Sequence, residues 1–397
     1  RVAVISDLNG AYGSTEYEAA VDRAVGRIVT LKPDLVISTG DMVAGQRRPH
    51  LSRTEVEGMW QAFHTHVTAP LAAAGIPLAV TPGNHDGSGY HGFELERGIF
   101  AEQWQPRRPA LSFVDAGDYP FNYAFAAGEV LFVAVDATQV GHLSSPQMAW
   151  IEATLDRHGP RYRWRVVFSH LPVWPFAQGR EREVIGDPAL QELLRRAGVA
   201  LYLSGHHHAF YPGVKDGITH LSQSCLGAGP RRLLGVHRQS PRSFTLLEFT
   251  DGTPSITAFA APDFTAAIDW AGLPPSIHSS IADLVRADLG PEASLLHTRE
   301  LNRGLLARLV WGRQIEVAAS LTVDVPSRFA EQDQPAEPEP TLADMDYRSR
   351  YREAVQLQYS TELDELQQRV KQIYAQDQAP SDTPADLPDA CFRAFTD

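Results

Sequence analysis

Five short stretches of the chain carry side chains of the kind that bind cations. ISDLNG offers Asp7 and Asn9, STGDM offers Asp41, and TPGNHDG offers Asn84, His85 and Asp86. FSHLP adds His170, and LSGHHHAF adds His206, His207 and His208. Carboxylate, carboxamide and imidazole together, with no thiolate among them, suit borderline or hard ions such as Zn, Mn or Fe in the divalent or trivalent state. One such ion is satisfied by three or four protein ligands. The candidates Asp7, Asn9, Asp41, Asn84, His170, His206 and His208 exceed that number, so two ions sharing a carboxylate are expected.

The elements that must position these residues are legible as apolar runs. VAVIS (2–6), DLVIS (34–38), PLAVT (77–81), VLFVAV (130–135), WRVVFS (164–169) and ALYLS (200–204) are short and nearly all apolar, as strands buried on both faces are. Five of the six end at a candidate ligand, and open α/β sheets place their ligand sites at such ends. In an extended segment residues i and i+2 share a face, which pairs Asp7 with Asn9 and His206 with His208. His207 is then expected to point away, toward solvent or a neighbouring loop. Glycines precede Asp41, Asn84 and His206, where tight turns would swing a ligand into place.

Helix-length patterns separate several of the runs, at 17–31, 53–74, 145–158 and 188–197, with Ser145 and Pro146 as an N-cap and first-turn pair. After residue 215, THLSQS, SFTLLEFT and SITAFA with DG turns at Asp216-Gly217 and Asp251-Gly252 suggest antiparallel strands. The first 260 residues thus read as a mixed α/β layered core.

The ordered set D-x-N, GD, GNHD, a lone histidine after an apolar strand and GHxH resembles the calcineurin-like metallophosphoesterase family over roughly residues 1–260. FNYAFAAGEVLFVAVDA, SSPQMAWIEATL and WRVVFSHLPVW are further similar to the branch that includes purple acid phosphatases. The resemblance implies an α/β fold, a four-layer αββα sandwich of two mixed β-sheets with a dinuclear site at the sheet ends. It makes Asp41 the bridging carboxylate, gives Asp7 and His208 to one metal, and gives Asn84, His170 and His206 to the other. It makes His85 the general acid that meets the leaving group, with Asp86 as its orienting partner. The activity implied is hydrolysis of phosphomonoesters by a metal-bridging hydroxide. A phosphodiesterase acting on nucleotides or lipid headgroups is the rival reading.

Two positions depart from the family pattern. Asn9 stands where members usually carry a histidine, and Ala44 stands where purple acid phosphatases carry a tyrosine. Asn9 is left as a weak carboxamide ligand, with Tyr12 as a conceivable substitute, and no purple iron centre is expected. These departures keep open a third reading, a non-catalytic phosphate-binding or scaffolding protein with a degenerate site. Arg231 and Arg232 in GAGPRRLLG could dock a remote phosphate or be plain surface arginines. Tyr90 and His91 could wall the pocket or anchor a loop.

The rest of the composition narrows the partners. The 35 basic and 48 acidic side chains leave a net charge of -13, which disfavours nucleic acid. No apolar run is long enough to span a membrane as a helix. Cys225 and Cys391 are too few for a disulfide framework. The chain opens on RVAVISD without a Met, which leans toward an exported protein, periplasmic or secreted, with a cytoplasmic one as the alternative. The expected organisation is a catalytic domain at 1–262, a helical extension at 263–330, an acidic Pro-rich linker at 331–346, and a C-terminal helix and tail at 347–397. The stripe Tyr347, Tyr351, Val355, Tyr359, Leu363, Leu366, Val370 and Ile373 would pack on the body of the protein or form a homodimer seam.

Overall fold

The computed structural model describes residues 1–270 and 273, apart from 235 and 237. The expected linker and C-terminal helix, and all but the first residues of the helical extension, lie outside the described residues. Residues 263–270 run as turns and irregular chain rather than helix, and Phe264 packs its ring against Phe244.

Two β-sheets form the framework. The first has the order β12-β11-β1-β2-β3, from β1 (Val2–Ile5), β2 (Leu35–Ser38), β3 (Leu78–Val80), β11 (Ser243–Glu248) and β12 (Ser255–Ala260). The second has the order β4-β5-β6-β7-β8-β10-β9. Its strands are β4 (Ser112–Asp118), β5 (Asn122–Ala127), β6 (Val130–Ala134), β7 (Trp164–Phe168), β8 (Leu201–Ser204), β9 (Tyr211–Lys215) and β10 (Ile218–Ser222). Both sheets are mixed: in the first, β1–β2 and β2–β3 pair in parallel while β1–β11 and β11–β12 pair antiparallel, and in the second, β6–β7, β7–β8 and β8–β10 pair in parallel while β4–β5, β5–β6 and β9–β10 pair antiparallel. The expectation of antiparallel strands after residue 215 holds for β11 and β12 and for β10 against β9, while the other edge of β10 adds in parallel to β8.

The helices are α1 (Ala19–Leu31), α2 (Arg53–Phe63), α3 (Ala69–Ala73), α4 (Asn84–Gly87), α5 (Glu94–Trp104), α6 (Ser145–His158) and α7 (Pro188–Arg196). Their starts follow local chemistry. Ser52 and Ser144 each close a capping box with Glu55 and Gln147, and Asp187 accepts from Ala189 N, each worth about 1 kcal/mol. The cap of α6 is thus Ser144, one residue before the expected Ser145.

Alternation along the second sheet explains the layering. Phe132, Ala134, Val166, Phe168, Leu201 and Leu203 belong to one apolar cluster with β1, β2, β3 and the helices α1, α2 and α5. The residues between them, Leu131, Val133, Val167 and Tyr202, join Ile151 and Leu155 of α6 and Leu190, Leu193 and Leu194 of α7. A sheet buried on both faces is what near-continuous apolar runs encode. Tyr123 of β5 crosses the interlayer, donating through its hydroxyl to Val80 O at 2.6 Å and accepting from Val80 N at 3.0 Å on β3. The hairpin β9–β10 turns on Asp216 and Gly217, both at positive φ (52° and 81°), as a two-residue DG turn requires.

Candidate metal centre

The five candidate stretches leave the ends of β1, β2, β3, β7 and β8. The first three belong to one sheet and the last two to the other, so the sheet ends must be stitched together before any site exists. His206 N donates to Asp7 Oδ2 at 3.0 Å, and His170 Nδ1 donates to Thr39 O at 2.8 Å, each crossing between the sheets. Leu8 N and Asn9 N both donate to Asp41 O.

Two groups of side chains converge. Ligand atoms of Asp41, His170 and His206 lie within 4.8 Å of one another, as do those of Asp7, Asp41 and His208. Asp41 belongs to both. Within the first group His170 Nε2 is 3.4 Å from Asp41 Oδ2, 3.0 Å from Asn84 Oδ1 and 3.2 Å from His206 Nδ1. In the second, His208 Nε2 is 3.2 Å from Asp7 Oδ1.

The outer partners decide which way each imidazole is protonated. Thr39 O can only accept, so His170 carries its proton on Nδ1 and turns the Nε2 lone pair inward. By the same reasoning Gly229 O takes the Nδ1 proton of His208, and the Glu183 carboxylate takes the Nε2 proton of His206 at 2.8 Å. Asn84 donates its amide to Gln46 Oε1 at 2.8 Å, which leaves Oδ1 facing His170. Four lone-pair atoms, His170 Nε2, His206 Nδ1, Asn84 Oδ1 and Asp41 Oδ2, then meet with no proton between them. Such an arrangement repels itself unless a cation or a bound proton fills it. Asn9 Oδ1 is likewise buried and accepts no hydrogen bond. The donor set fits two cations of borderline or hard character.

Backbone conformation marks the site independently. Asp7, Asp41, His206 and His208 all have positive φ, from 51° to 64°, a region that non-glycine residues enter at a cost. The pairing of His206 with His208 therefore does not come from strand alternation, since the chain has left β8 at Ser204 and turns through left-handed residues. The preceding glycines supply space. A Cβ on Gly83 would lie 2.1 Å from Asp41 Oδ1, and one on Gly205 would lie 2.0 Å from Ser6 Oγ.

Charge follows the geometry. Burial works against the Asp41 carboxylate, but His170 and His85 outweigh it and hold its pKa well below the usual range. Burial also opposes the His170 imidazolium, yet Asp41 and Asp7 push that group up to about 9. His206 and His207 are pushed well below the ordinary imidazole value by burial, with Arg180 adding to the effect. Burial, with Asp41 beside it, raises the Asp86 carboxyl to about 7.

Several residues sit differently from expectation. His207 is buried, not solvent-facing, and the neighbouring loop claims it: its Nδ1 accepts from Phe176 N at 3.2 Å and its Nε2 donates to Glu183 O at 3.1 Å. Asp86 does not orient the His85 ring. It accepts from Met42 N, Val43 N and Gly83 N, bracing the GD and GNHD turns against each other. The His85 ring is held instead by Gly45 O, to which Nδ1 donates at 2.8 Å, and Nε2 lies 3.9 Å from Asp41 Oδ2. Tyr12 lays its ring against His85, centroids 5.1 Å apart, and is 42 % exposed.

The four candidate substrate residues divide. Arg231 adjoins the site through its backbone, which donates to His208 O, while the exposed Arg232 lies in an antiparallel bridge with Gln239. Tyr90 anchors a loop by accepting from Val140 N, and the His91 side chain is 79 % exposed and bonded to Glu94. His91 and Arg232 are thus surface residues. Sequence reasoning missed Glu183, Arg180 and Gln46, which support candidate ligands; for Glu183 and Arg180 the charged run REREV after FSHLP was the available signal.

Three solved structures are similar to this chain over 65 % to 82 % of its length. A purple acid phosphatase from yellow lupin matches at 17 % identity over 68 % of this chain, with a TM-score of 0.49. The match spans 52 % of the lupin chain, about half its length. A dimetal phosphatase from Danio rerio matches at 18 % identity over 65 % of this chain and 94 % of its own, TM-score 0.47. The anchor in the inner membrane complex of Plasmodium matches at 14 % identity over 82 % and 97 %, TM-score 0.44. No curated protein matches significantly. The family model for calcineurin-like phosphoesterases matches residues 1–210, a span that holds every candidate ligand described above, and the chain belongs to that family.

Proposed function

We propose that the protein is a dinuclear metal-dependent hydrolase of phosphomonoesters. The observation that carries this reading is the sharing of Asp41 by two groups of inward-facing lone pairs. Asn84, His170 and His206 would hold one cation, Asp7, His208 and Asn9 the other, and Asp41 both. Bound there, a cation pair supplies an acidified water and draws off negative charge from the phosphoryl oxygens.

The chain's own residues do the rest. His85 keeps its Nδ1 proton on Gly45 O, so Nε2 is the nitrogen free to deliver a proton to the departing alkoxide. Its pKa is lowered by burial, with Asp41 pulling the other way. Arg231, beside His207 and His208, brings positive charge to the nitrogen side of the site, while the charge of Arg180 is paired with Glu183. That charge suits the dianionic phosphate of a monoester. Exclusion of competing partners rests on charge: a net of -13 disfavours nucleic acid as substrate.

The test is turnover of p-nitrophenyl phosphate against its bis ester, with Mn²⁺, Zn²⁺ or Fe²⁺ supplied and with a chelated control. Turnover of the monoester that the chelator abolishes is expected. Strong preference for the diester would replace the monoesterase reading with a phosphodiesterase. No turnover with any cation would sink both and leave a phosphate-binding or scaffolding protein.

A further inference from the structure

The loop between β7 and α7 carries a group that neither the family motifs nor the proposed chemistry uses. Glu183 stands on the outer side of the GHHH turn. Its carboxylate accepts from His206 Nε2 at 2.8 Å, and its backbone carbonyl accepts from His207 Nε2 at 3.1 Å. Arg180 donates to the same Glu183 oxygen that His206 reaches. Phe176 N closes the circuit by donating to His207 Nδ1. The segment is fastened on its other side as well, since Gln178 N donates to Arg232 O and Leu234 N donates to Phe176 O.

The geometry points to Glu183 as a positioning residue for His206, held in place by His207. The two nitrogens of an imidazole point in divergent directions, so a carboxylate bonded at Nε2 stands outside the group that Nδ1 faces. By taking the Nε2 proton it fixes the plane of the ring, keeps the Nδ1 lone pair aimed at His170 and Asp41, and strengthens Nδ1 as a donor. His207, the middle histidine of the run, is the clamp: its two nitrogens grip two backbone groups of the same loop, one of them in Glu183 itself. Three consecutive histidines thereby take three jobs, two inward and one that binds the supporting loop.

This inference rests on reading the site as a cation centre, and cobalt separates the two claims. Co²⁺ titration by calorimetry, with the ligand-field spectrum recorded alongside, is carried out on the wild type and on Glu183→Ala and Glu183→Gln. The wild type should take up two ions. In Glu183→Ala one of the two should bind about 10- to 100-fold more weakly, with an altered spectrum, while the other is unchanged. Glu183→Gln keeps an acceptor oxygen and should recover most of the loss. If Glu183→Ala does not melt cooperatively, Glu183→Ser, also too short to reach His206, takes its place. A wild type that binds fewer than two ions would overturn the cation-centre reading and this inference with it. Two ions bound by Glu183→Ala as tightly as by the wild type would overturn the inference alone, and so would an equal loss in Glu183→Gln.

Discussion

The two sheets meet at the site with different chemistry. The first sheet contributes oxygens: Asp7 after β1, Asp41 after β2 and Asn84 after β3. The second contributes nitrogens: His170 after β7, and His206 and His208 after β8. Their wiring differs too. The oxygen side is braced mainly by backbone N–H groups donating to carboxylates, as in Asp86 with Met42, Val43 and Gly83, or Asp41 Oδ1 with His85 N. The nitrogen side is braced by ring N–H groups donating outward to Thr39 O, Gly229 O and Glu183. Carboxylates need donors to stay ionised in a buried place, whereas imidazoles need acceptors to stay neutral with a lone pair facing in. One side brings the charge and the other brings neutral donors, so neither could be moved to the other's support.

The comparison is broken most severely at Asp41, the one residue in both groups. Asp41→Asn should remove the shared charge, with kcat/KM for p-nitrophenyl phosphate down on the order of 1,000-fold or more and Co²⁺ content below two ions per chain. An unchanged metal content would show that the carboxylate is not shared.

His85 belongs to the oxygen side by its anchorage on Gly45 yet is proposed to act on the leaving group. His85→Asn should lower turnover of an alkyl phosphate by about 100- to 10,000-fold. The loss should be much smaller for p-nitrophenyl phosphate, whose leaving group departs without a proton. An equal loss for both substrates would assign His85 to cation or phosphate binding instead.

Titration should separate the sides as well. The His170 pKa is raised to about 9, so below that pH a cation must displace its proton, whereas Asp41 stays ionised. Affinity for the ion on the nitrogen side should fall by about tenfold per pH unit as pH drops from 9 toward 6. Calorimetry at several pH values checks this, and an affinity independent of pH would contradict it.

The smallest effect concerns the bracing of the oxygen side. Glu96 is buried and accepts from Gln46 N at 2.7 Å, next to the carbonyl that holds His85. Burial raises its pKa from 4.5 to about 7, opposed by that hydrogen bond. A raised folded-state pKa means that its stabilising contribution is present below about 4.5 and is lost as pH rises through 7. Glu96→Gln should therefore be more stable than the wild type by about 1–3 kcal/mol at pH 8 and match it near pH 4. Melting curves at the two pH values decide it.

Much of this was legible in the chain. The strand cores were visible because sheets covered on both faces demand unbroken apolar runs, and the candidate ligands were visible because they follow those runs directly. Missed elements were those with weaker local signals. β4 has no buried residue and two register shifts against β5, and β9 contains Pro and Gly. Glu183 and Gln46 lie on loops, where nothing periodic marks a residue that reaches a site from outside.

The primary sequence alone determined the candidate ligand types, their order, the apolar strands that carry them and the family to which the chain belongs, because these are properties of short segments. Tertiary structure alone decided that β11 returns beside β1 and that His207 faces a loop and not solvent. It also decided which nitrogen of each histidine points inward. Those are matters of which distant groups meet, and the proton on an imidazole goes where an acceptor from another part of the chain is waiting for it.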